Sequence, residues 1–357
     1  MLLQTKLRRL TKRNTEDIKK FFGKSILKTY NLISYFASIF LFIAPLLNFA
    51  NREQKIFFPV LFNIVKKIKA IADLIRADHG IMLGIAVLIG FFISAKGIFF
   101  SEKIIFSFLT AFFLEAGTFA LNDYFDYEVD KKNKRFDRPL VRGDIKPKAA
   151  LFIYFISSPV GIAFSALVNK ICFLIALVNL IIATFYDIKF KEIKVIGNFY
   201  IAFIMAIPFI FGALAYSEKI SPIVIFFSAI AFLSGLGREI MKDIMDFYGD
   251  MERNTKSFPL YIGEKKSRFL ASFLFTFSSI ISFMPFFFEI DSSYYLNPLF
   301  FLLLCFSSFL FIYSSYLLIK GKEINICRKL TLLAILIGLI AFLAGTLGFD
   351  MCSCSSI

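Results

Sequence analysis

The sequence predicts an all-α membrane protein, from its composition, the length of its apolar runs and the distribution of its cations. Of its 357 residues 58% are hydrophobic, with a mean hydropathy of +0.73, which is more apolar surface than a soluble domain of this length buries. Apolar runs of about 20 residues recur, each long enough to cross a hydrocarbon core roughly 30 Å thick. Because the backbone must satisfy its own hydrogen bonds in lipid, these runs should be helices.

Nine apolar spans are expected from residue 79 onward. The breaks between them fall at turn and charge signals such as Lys96-Gly97. The predicted spans are 79–99, 103–123, 148–168, 171–187, 195–216, 222–247, 268–289, 296–319 and 329–349.

Lys and Arg residues alternate between the connections of these spans. The connections after even-numbered spans, together with the span ends that flank them, carry 20 of them, and those after odd-numbered spans carry 4. The positive-inside rule therefore places the even-numbered connections in the cytoplasm and the C-terminus outside, in an integral protein of the cell membrane. This topology also accounts for the net charge of +15, so no nucleic-acid partner is expected.

The chain before the first span is expected to be an additional N-terminal segment, over residues 1–65. Its apolar stretch at 30–50 has cationic clusters on both sides, which favours a re-entrant or surface hairpin, with an extra span as the alternative. Residues 57–76 are typical of an interfacial helix. We expect the nine-helix domain to cover 66–350 and a short tail to cover 351–357.

Two acidic clusters are not explained by topology. Each is a row of oxygen ligands spaced to share one face of a helix. The rows are Asn122, Asp126, Asp130 and Asp243, Asp246, Asp250. A carboxylate inside a membrane costs about 2.5–3.5 kcal/mol, and Mg²⁺ commonly bridges carboxylates to substrate phosphates. The rows therefore predict a Mg²⁺ site on the cytoplasmic side, with Asp126, Asp130, Asp246 and Asp250 central to catalysis. The alternative is ordinary acids at solvated helix ends.

Basic and hydroxyl side chains accompany the two rows, which favours a diphosphate over a bare ion. Arg is suited to bidentate phosphate contacts and Lys acts as a point charge. The candidate diphosphate ligands are Arg138, Tyr186, Lys191 and Lys242. For each cation alone, snorkelling to the membrane interface is the competing interpretation.

On these residues the sequence resembles the UbiA-type intramembrane prenyltransferases, over residues 70–350. The resemblance rests on the Asn-x-x-x-Asp-x-x-x-Asp pattern from Asn122, the following Arg138-Pro139-Leu140, and the Asp246-x-x-x-Asp250 pair. It implies nine helices in a UbiA-like bundle around a central apolar chamber. It also implies an enzyme that uses Mg²⁺ to ionise an isoprenyl diphosphate donor.

Within that family, the stretch from Gly237 to Asp250 is similar to archaeal digeranylgeranylglyceryl phosphate synthases. This similarity implies transfer of a geranylgeranyl group to the hydroxyl of geranylgeranylglyceryl phosphate, a lipid acceptor held in the membrane. An aromatic-acceptor prenyltransferase of quinone or haem synthesis is the alternative. An ion-coupled transporter is disfavoured because its acids would lie at several depths.

A phosphate on the acceptor would need cations beyond those that hold the diphosphate. Arg76 and Arg142 are the candidates for that contact. The chain departs from the resemblance close to both residues. Arg76-Ala-Asp-His79 keeps the Arg of a usual Arg-Pro-x-Asn but lacks its Asn, and Val141-Arg142 replaces a usual Pro-Ser.

Overall fold

The structure, a computed structural model, describes residues 59–190, 193–252, 255–322 and 324–346. Within these ranges the secondary structure is helical, with no strand. Residues 1–71 and 72–357 form two compact units. The apolar stretch at 30–50 and the tail lie outside the described residues, so their predicted arrangement stays a prediction.

Nine helices of the described residues are long and apolar enough to cross a membrane, which confirms the predicted number of spans. They are α2 Ala77–Ala95, α3 Glu102–Lys132, α5 Pro147–Val168, α6 Lys170–Phe185, α7 Lys194–Tyr216, α8 Pro222–Met245, α11 Glu264–Ile281, α13 Pro298–Ile319 and α14 Ile324–Thr346. The apolar span that begins with α6 continues to Ile188, and the one that begins with α11 continues to Phe287. The shorter helices are α1 Pro59–Leu74, α4 Pro139–Arg142, α9 Phe247–Glu252, α10 Phe258–Ile262 and α12 Met284–Phe287.

Local sequence explains where several of these helices begin. Pro147, Pro222 and Pro298 occupy the first turn of α5, α8 and α13, where a missing N–H costs nothing and the fixed φ suits a helix. The side chains of Asn169 and Asn297 cap α6 and α13 by accepting hydrogen bonds from free backbone N–H groups. The helix starts are therefore specified within each segment.

The helices pack in two rings that share α2 and α7. One ring runs through α2, α3, α5, α6 and α7, and the other runs through α7, α8, α11, α13 and α14 and closes back on α2. Glycine permits the shared α2–α7 contact, because a Cβ on Gly90 or Gly212 would overlap the carbonyl of Phe209 or Val87. This arrangement leaves a chamber between the helices.

Helix α3 is longer than the predicted span of 103–123. Its 31 residues extend to Lys132, a length of about 46 Å, which exceeds the roughly 30 Å hydrocarbon core. The last turns of α3 therefore lie beyond that core, and they carry Asn122, Asp126 and Asp130 on one helix face, as the four-residue spacing predicted.

The prediction that the second acidic row shares the face of one unbroken helix is wrong. Helix α8 ends at Met245, and Asp246 is its C-cap, with φ −90° and ψ 5°. Asp250 lies on the separate short helix α9. The break turns the chain, so Asp246 is exposed while Asp243 and Asp250 are buried.

Cysteine labelling tests the predicted sidedness of the connections. In a background without native cysteines, Lys134→Cys and Lys265→Cys should react from the cytoplasmic side, and Ser292→Cys from the outside. All three positions are exposed, so the reagent can reach each of them. If positions 134 and 292 react from the same side of sealed vesicles, the predicted topology fails.

Candidate active site

A cavity of about 490 Å³ lies within the bundle, in the size range of ligand sites. Eight of the nine long helices, all except α5, contribute side chains to it. Most of its wall is apolar, including Met82, Ile204, Phe311 and Phe342. Its polar residues include Arg76, Asn122, Arg138, Tyr186, Arg238 and Lys242. The predicted central apolar chamber is thus present, and the predicted substrate ligands Arg76, Arg138, Tyr186 and Lys242 line it.

Two arginines of the cavity share one carboxylate oxygen. Arg76 donates from Nη2 to Oδ1 of Asp123 at 3.2 Å, and Nη1 of Arg138 lies 3.3 Å from the same oxygen. Burial and the charge of Arg138 lower the pKa of Arg76, and the charges of Asp123 and Glu115 oppose that shift. Asp123 therefore positions two guanidinium groups at the cavity and holds them against their mutual repulsion.

The first acidic row lies beside this pair. Asn122 donates from Nδ2 to Oδ2 of Asp126 at 3.4 Å, so the two side chains of successive turns are in contact. Asp130, buried at the end of α3, has Oδ2 at 3.7 Å from Nε of Arg138. The structure thus brings Asn122, Asp126 and Asp130 together with Arg138.

The second acidic row converges on the ammonium group of Lys194. Its Nζ lies 2.7 Å from Oδ1 of Asp250, 3.6 Å from Oδ2 of Asp246 and 3.9 Å from Oδ1 of Asp243. A single cation therefore contacts all three carboxylates, although they come from a helix, its cap and the next helix. Lys194 neutralises a concentration of negative charge that would otherwise be costly to bury.

The start of α7 also positions Asp243 and Tyr186. Asn198 donates from Nδ2 to Oδ2 of Asp243 at 2.6 Å, which fixes that carboxylate. Tyr186 begins a π-helical turn that follows α6, and a Cβ on Gly197 would overlap its hydroxyl group. Glycine at 197 therefore lets the tyrosine hydroxyl approach the backbone of α7 beside the cavity.

Helix α8 contributes two cations to the cavity wall. Lys242 is paired with Glu239 one turn before it. Arg238 is buried, and its Nε has no hydrogen-bond partner among the described residues. A buried guanidinium N–H without an acceptor is costly, so this donor is suited to an anionic ligand in the cavity.

Two predicted substrate ligands are not found at the cavity. Lys191 lies outside the described residues, and its role stays a prediction. Arg142 is bound elsewhere, since its guanidinium contacts Asp73 at 2.9 Å and Asp144 at 2.7 Å. These contacts hold the connection after α3 against the residues that precede α2.

Sequence reasoning missed two residues of this site. Lys194 is one of the cations that the positive-inside rule assigns to a cytoplasmic connection, and its sequence context does not indicate a contact with the second acidic row. Glu115 lines the cavity from α3, and its position seven residues before Asn122 places it on the same helix face. Extending the periodicity of the first acidic row back along the helix would have found it.

Comparison with known proteins agrees with this geometry. The UbiA prenyltransferase family matches residues 83–334. A digeranylgeranylglyceryl phosphate synthase of Archaeoglobus fulgidus is 40% identical over 292 residues, which is 79% of this chain and 97% of that protein. A protein of the same name from Methanocaldococcus jannaschii is 34% identical, over 77% and 98% of the two chains.

Solved structures share the fold. One, described as giving structural and mechanistic insights into the biosynthesis of digeranylgeranylglyceryl phosphate synthase in membranes, has a TM-score of 0.63 and 32% identity. The alignment covers 79% of this chain and 99% of that one. A UbiA homolog from Archaeoglobus fulgidus bound to DMAPP and Mg²⁺ has a TM-score of 0.56 and 19% identity over 77% and 98% of the chains. The resemblance seen in the acidic motifs is confirmed, and the chain belongs to the UbiA prenyltransferase family of membrane enzymes.

Proposed function

We propose that the enzyme transfers a geranylgeranyl group from its diphosphate to the hydroxyl of geranylgeranylglyceryl phosphate. Relatives that carry the corresponding synthase name are up to 40% identical over nearly their whole length. The cavity supports the same conclusion, because it joins a long apolar wall to a set of cations, with Asn122 of the first acidic row in its lining. This combination suits a donor with an isoprenoid tail and a diphosphate head.

The unpartnered Nε of Arg238 is the observation that carries the proposal. Arg76, Arg138 and Lys242 each contact a carboxylate, so they are already neutralised in part. Arg238 contributes a buried positive charge to the same cavity, and its Nε, like that of Arg138, has no hydrogen-bond partner in the described structure. A diphosphate oxygen would satisfy this donor, since charge-assisted bonds to phosphate favour Arg.

The acidic residues fit Mg²⁺ as the metal. Among the described residues, no three Asp, Glu, His or Cys side chains are arranged to hold an ion by themselves. Mg²⁺ does not require this, because it is usually bound by one or two carboxylates together with substrate phosphates and water.

The ligand atoms of both rows also suit Mg²⁺, because they are hard oxygens. The contact of Lys194 with the second row supports a cation at its centre. Oδ2 of Asp123 is also buried without a hydrogen-bond partner in the described structure. The UbiA homolog bound to DMAPP and Mg²⁺ shows that a member of the family holds both together.

In the proposed reaction, Asn122, Asp126, Asp130, Asp243, Asp246 and Asp250 hold Mg²⁺. When bound, the metal would offset the negative charge that develops on the departing diphosphate. Arg138, Arg238, Lys242 and Tyr186 hold the diphosphate oxygens and stabilise the same charge, and Lys191 remains a further candidate. The carbon–oxygen bond of C1 breaks with its electron pair on the diphosphate.

The apolar wall then protects the allylic cation. Phe119, Phe209, Phe311 and Phe342 are among the aromatic side chains that line the cavity. Their rings exclude water, which would convert the cation to the prenyl alcohol, and their faces stabilise positive charge. The acceptor oxygen attacks C1 in this enclosure, on the cytoplasmic side of the membrane by the positive-inside rule.

A panel of acceptors tests the proposal with the purified enzyme, geranylgeranyl diphosphate and Mg²⁺. We expect rapid ether formation with geranylgeranylglyceryl phosphate and little product with 4-hydroxybenzoate. Preference for the aromatic acceptor would replace this assignment with the aromatic-acceptor alternative. It would leave membership of the prenyltransferase family unaffected.

Replacing Arg76 tests which cation binds the acceptor phosphate. Arg76→Ala should raise the acceptor KM about ten-fold or more, because it removes a charge-assisted contact of about 1.5–3 kcal/mol. The donor KM should change less than the acceptor KM, since Arg138 remains in contact with Asp123. Arg142→Ala is the matched control, because Arg142 is bound to Asp73 and Asp144 away from the cavity. Equal increases of the acceptor KM in both variants would contradict the assignment.

A further inference from the structure

Glu115 is a carboxylate of the cavity wall that belongs to neither acidic row. It lies on α3 among apolar neighbours such as Leu114 and Phe119. Insertion of an acid at such a depth costs about 2.5–3.5 kcal/mol, so an acid there calls for a function. It is not part of the first acidic row, because Asn122, the nearest proposed metal ligand on the same helix, lies two turns further along.

The surroundings of Glu115 leave its oxygens available. Among the described residues, none donates a hydrogen bond to its carboxylate or lies within ion-pair distance of it. Arg76 supports its negative charge from a distance, while the Arg76 guanidinium lies 4.0 Å above the ring of Phe119 and donates to Asp123. Glu239, another acid of the cavity, is instead paired with Lys242.

The spacing along α3 matches the geometry of the reaction. Seven residues separate Glu115 from Asn122, which places the two on one face and about 10.5 Å apart along the axis. The path from the metal to the base is roughly 10–12 Å long. It consists of a metal–oxygen bond, the P–O–C1 linkage, the attack distance and one hydrogen bond. A hydroxyl that attacks C1 of a donor bound at Asn122 is therefore within reach of Glu115.

We propose that Glu115 is the general base that accepts the proton of the acceptor hydroxyl, an inference that rests on the proposed function. The C1–oxygen bond to the diphosphate breaks and its electron pair leaves with the diphosphate. A lone pair of the acceptor oxygen forms the new ether bond to C1. The hydroxyl proton passes to the carboxylate of Glu115, so the step is balanced without a further reactant.

The division of product between the ether and the prenyl alcohol in Glu115→Gln tests this role. The amide has the shape of the carboxylate but cannot take the proton, so ether formation should fall about 100-fold or more. Release of diphosphate without acceptor, with water as the nucleophile and the prenyl alcohol as product, should continue. The KM for the donor should be unchanged. Glu115→Asp, which keeps a carboxylate, should recover part of the lost ether formation.

Glu102→Gln is the matched control, because Glu102 lies on the same helix but is exposed at its first turn. It should form ether as fast as the wild type. Ether formation at the wild-type rate in Glu115→Gln would overturn the proposal. A loss of diphosphate release as large as the loss of ether formation, with the donor still bound, would also overturn the proposal, because Glu115 would then act on the donor. If Glu115→Gln does not fold, Glu115→Met takes its place, because it removes the carboxylate and suits the apolar neighbours of position 115. A stable Glu115→Met variant with wild-type ether formation contradicts the proposal, and a selective loss of ether supports it.

Failure of the proposed acceptor is distinguishable from failure of this role. A wild-type enzyme that ignores geranylgeranylglyceryl phosphate would disprove the acceptor assignment directly. The division of product is then measured with the hydroxyl acceptor that the wild type does use. Glu115→Gln should still lose prenyl transfer to that hydroxyl and retain diphosphate release.

Discussion

Asp246→Ala and Asp126→Ala should each reduce prenyl transfer by about 10²–10³-fold while the protein remains folded. Each change removes one of the oxygen ligands proposed to hold Mg²⁺, and loss of one group that stabilises the leaving diphosphate costs about 10²–10³. The Asp246 side chain is 59% exposed, so its removal should cost little stability. Turnover and thermal unfolding of the purified variants measure the two effects.

Asp137→Ala is the matched control for these variants. The Asp137 side chain is also 59% exposed and lies in the connection after α3. A hydrogen bond from Arg135 holds the pKa of Asp137 at about 2, so the control also removes one full negative charge. It should retain activity near that of the wild type. Chelation of divalent metal should inactivate the wild type, and full activity in EDTA would disprove the role of Mg²⁺.

Lys194→Met should destabilise the metal-free protein by about 3 kcal/mol, because removing one partner of a buried ion pair leaves an uncompensated charge. Both oxygens of the buried Asp250 lie within 2.8 Å of the Lys194 ammonium. Mg²⁺ should reverse most of this loss, since it replaces the missing positive charge. Thermal unfolding with and without Mg²⁺ should show a larger metal-dependent increase in Tm for the variant than for the wild type.

Lys265→Met separates this effect from a general loss of positive charge. Lys265 is exposed at the start of α11, and its removal should leave the Tm and its dependence on Mg²⁺ unchanged. Equal Tm values for Lys194→Met and the wild type in EDTA would show that Lys194 does not stabilise the acidic row. If Mg²⁺ raises the Tm of Lys194→Met no more than that of the wild type, Lys194 and Mg²⁺ do not share a binding position.

Much of this fold could be predicted because the membrane restricts it. Backbone hydrogen bonding in lipid allows a spanning segment little besides a helix, so apolar length predicts the nine spans. The four-residue spacing of Asn122, Asp126 and Asp130 predicts a shared helix face, which the structure has. The apolar length of a span and the spacing of a motif each depend only on residues that are close together in the sequence.

The remaining features depend on contacts between distant segments. Lys194 enters the second acidic row only because α7 packs on α8, and no local pattern reports that contact. The helix break at Asp246 is not encoded by the three-residue and seven-residue offsets, which fit an unbroken helix equally well. Arg142 matched the expected chemistry of a phosphate ligand, but its contact with Asp73, 69 residues away, holds it outside the cavity.

The single oxygen of Asp123 that holds both Arg76 and Arg138 links the affinities of the two substrates. In the proposed site, Arg138 serves the donor and Arg76 serves the acceptor, and each competes for one acceptor atom. A donor that draws Arg138 toward its phosphates leaves Asp123 more fully to Arg76, which changes the free energy available to the acceptor. Linkage requires the acceptor to alter donor binding by the same factor. The proposed roles of Arg76 and Arg138 therefore predict a reciprocal free-energy coupling between the two substrates, in which Asp123→Asn alters both affinities together.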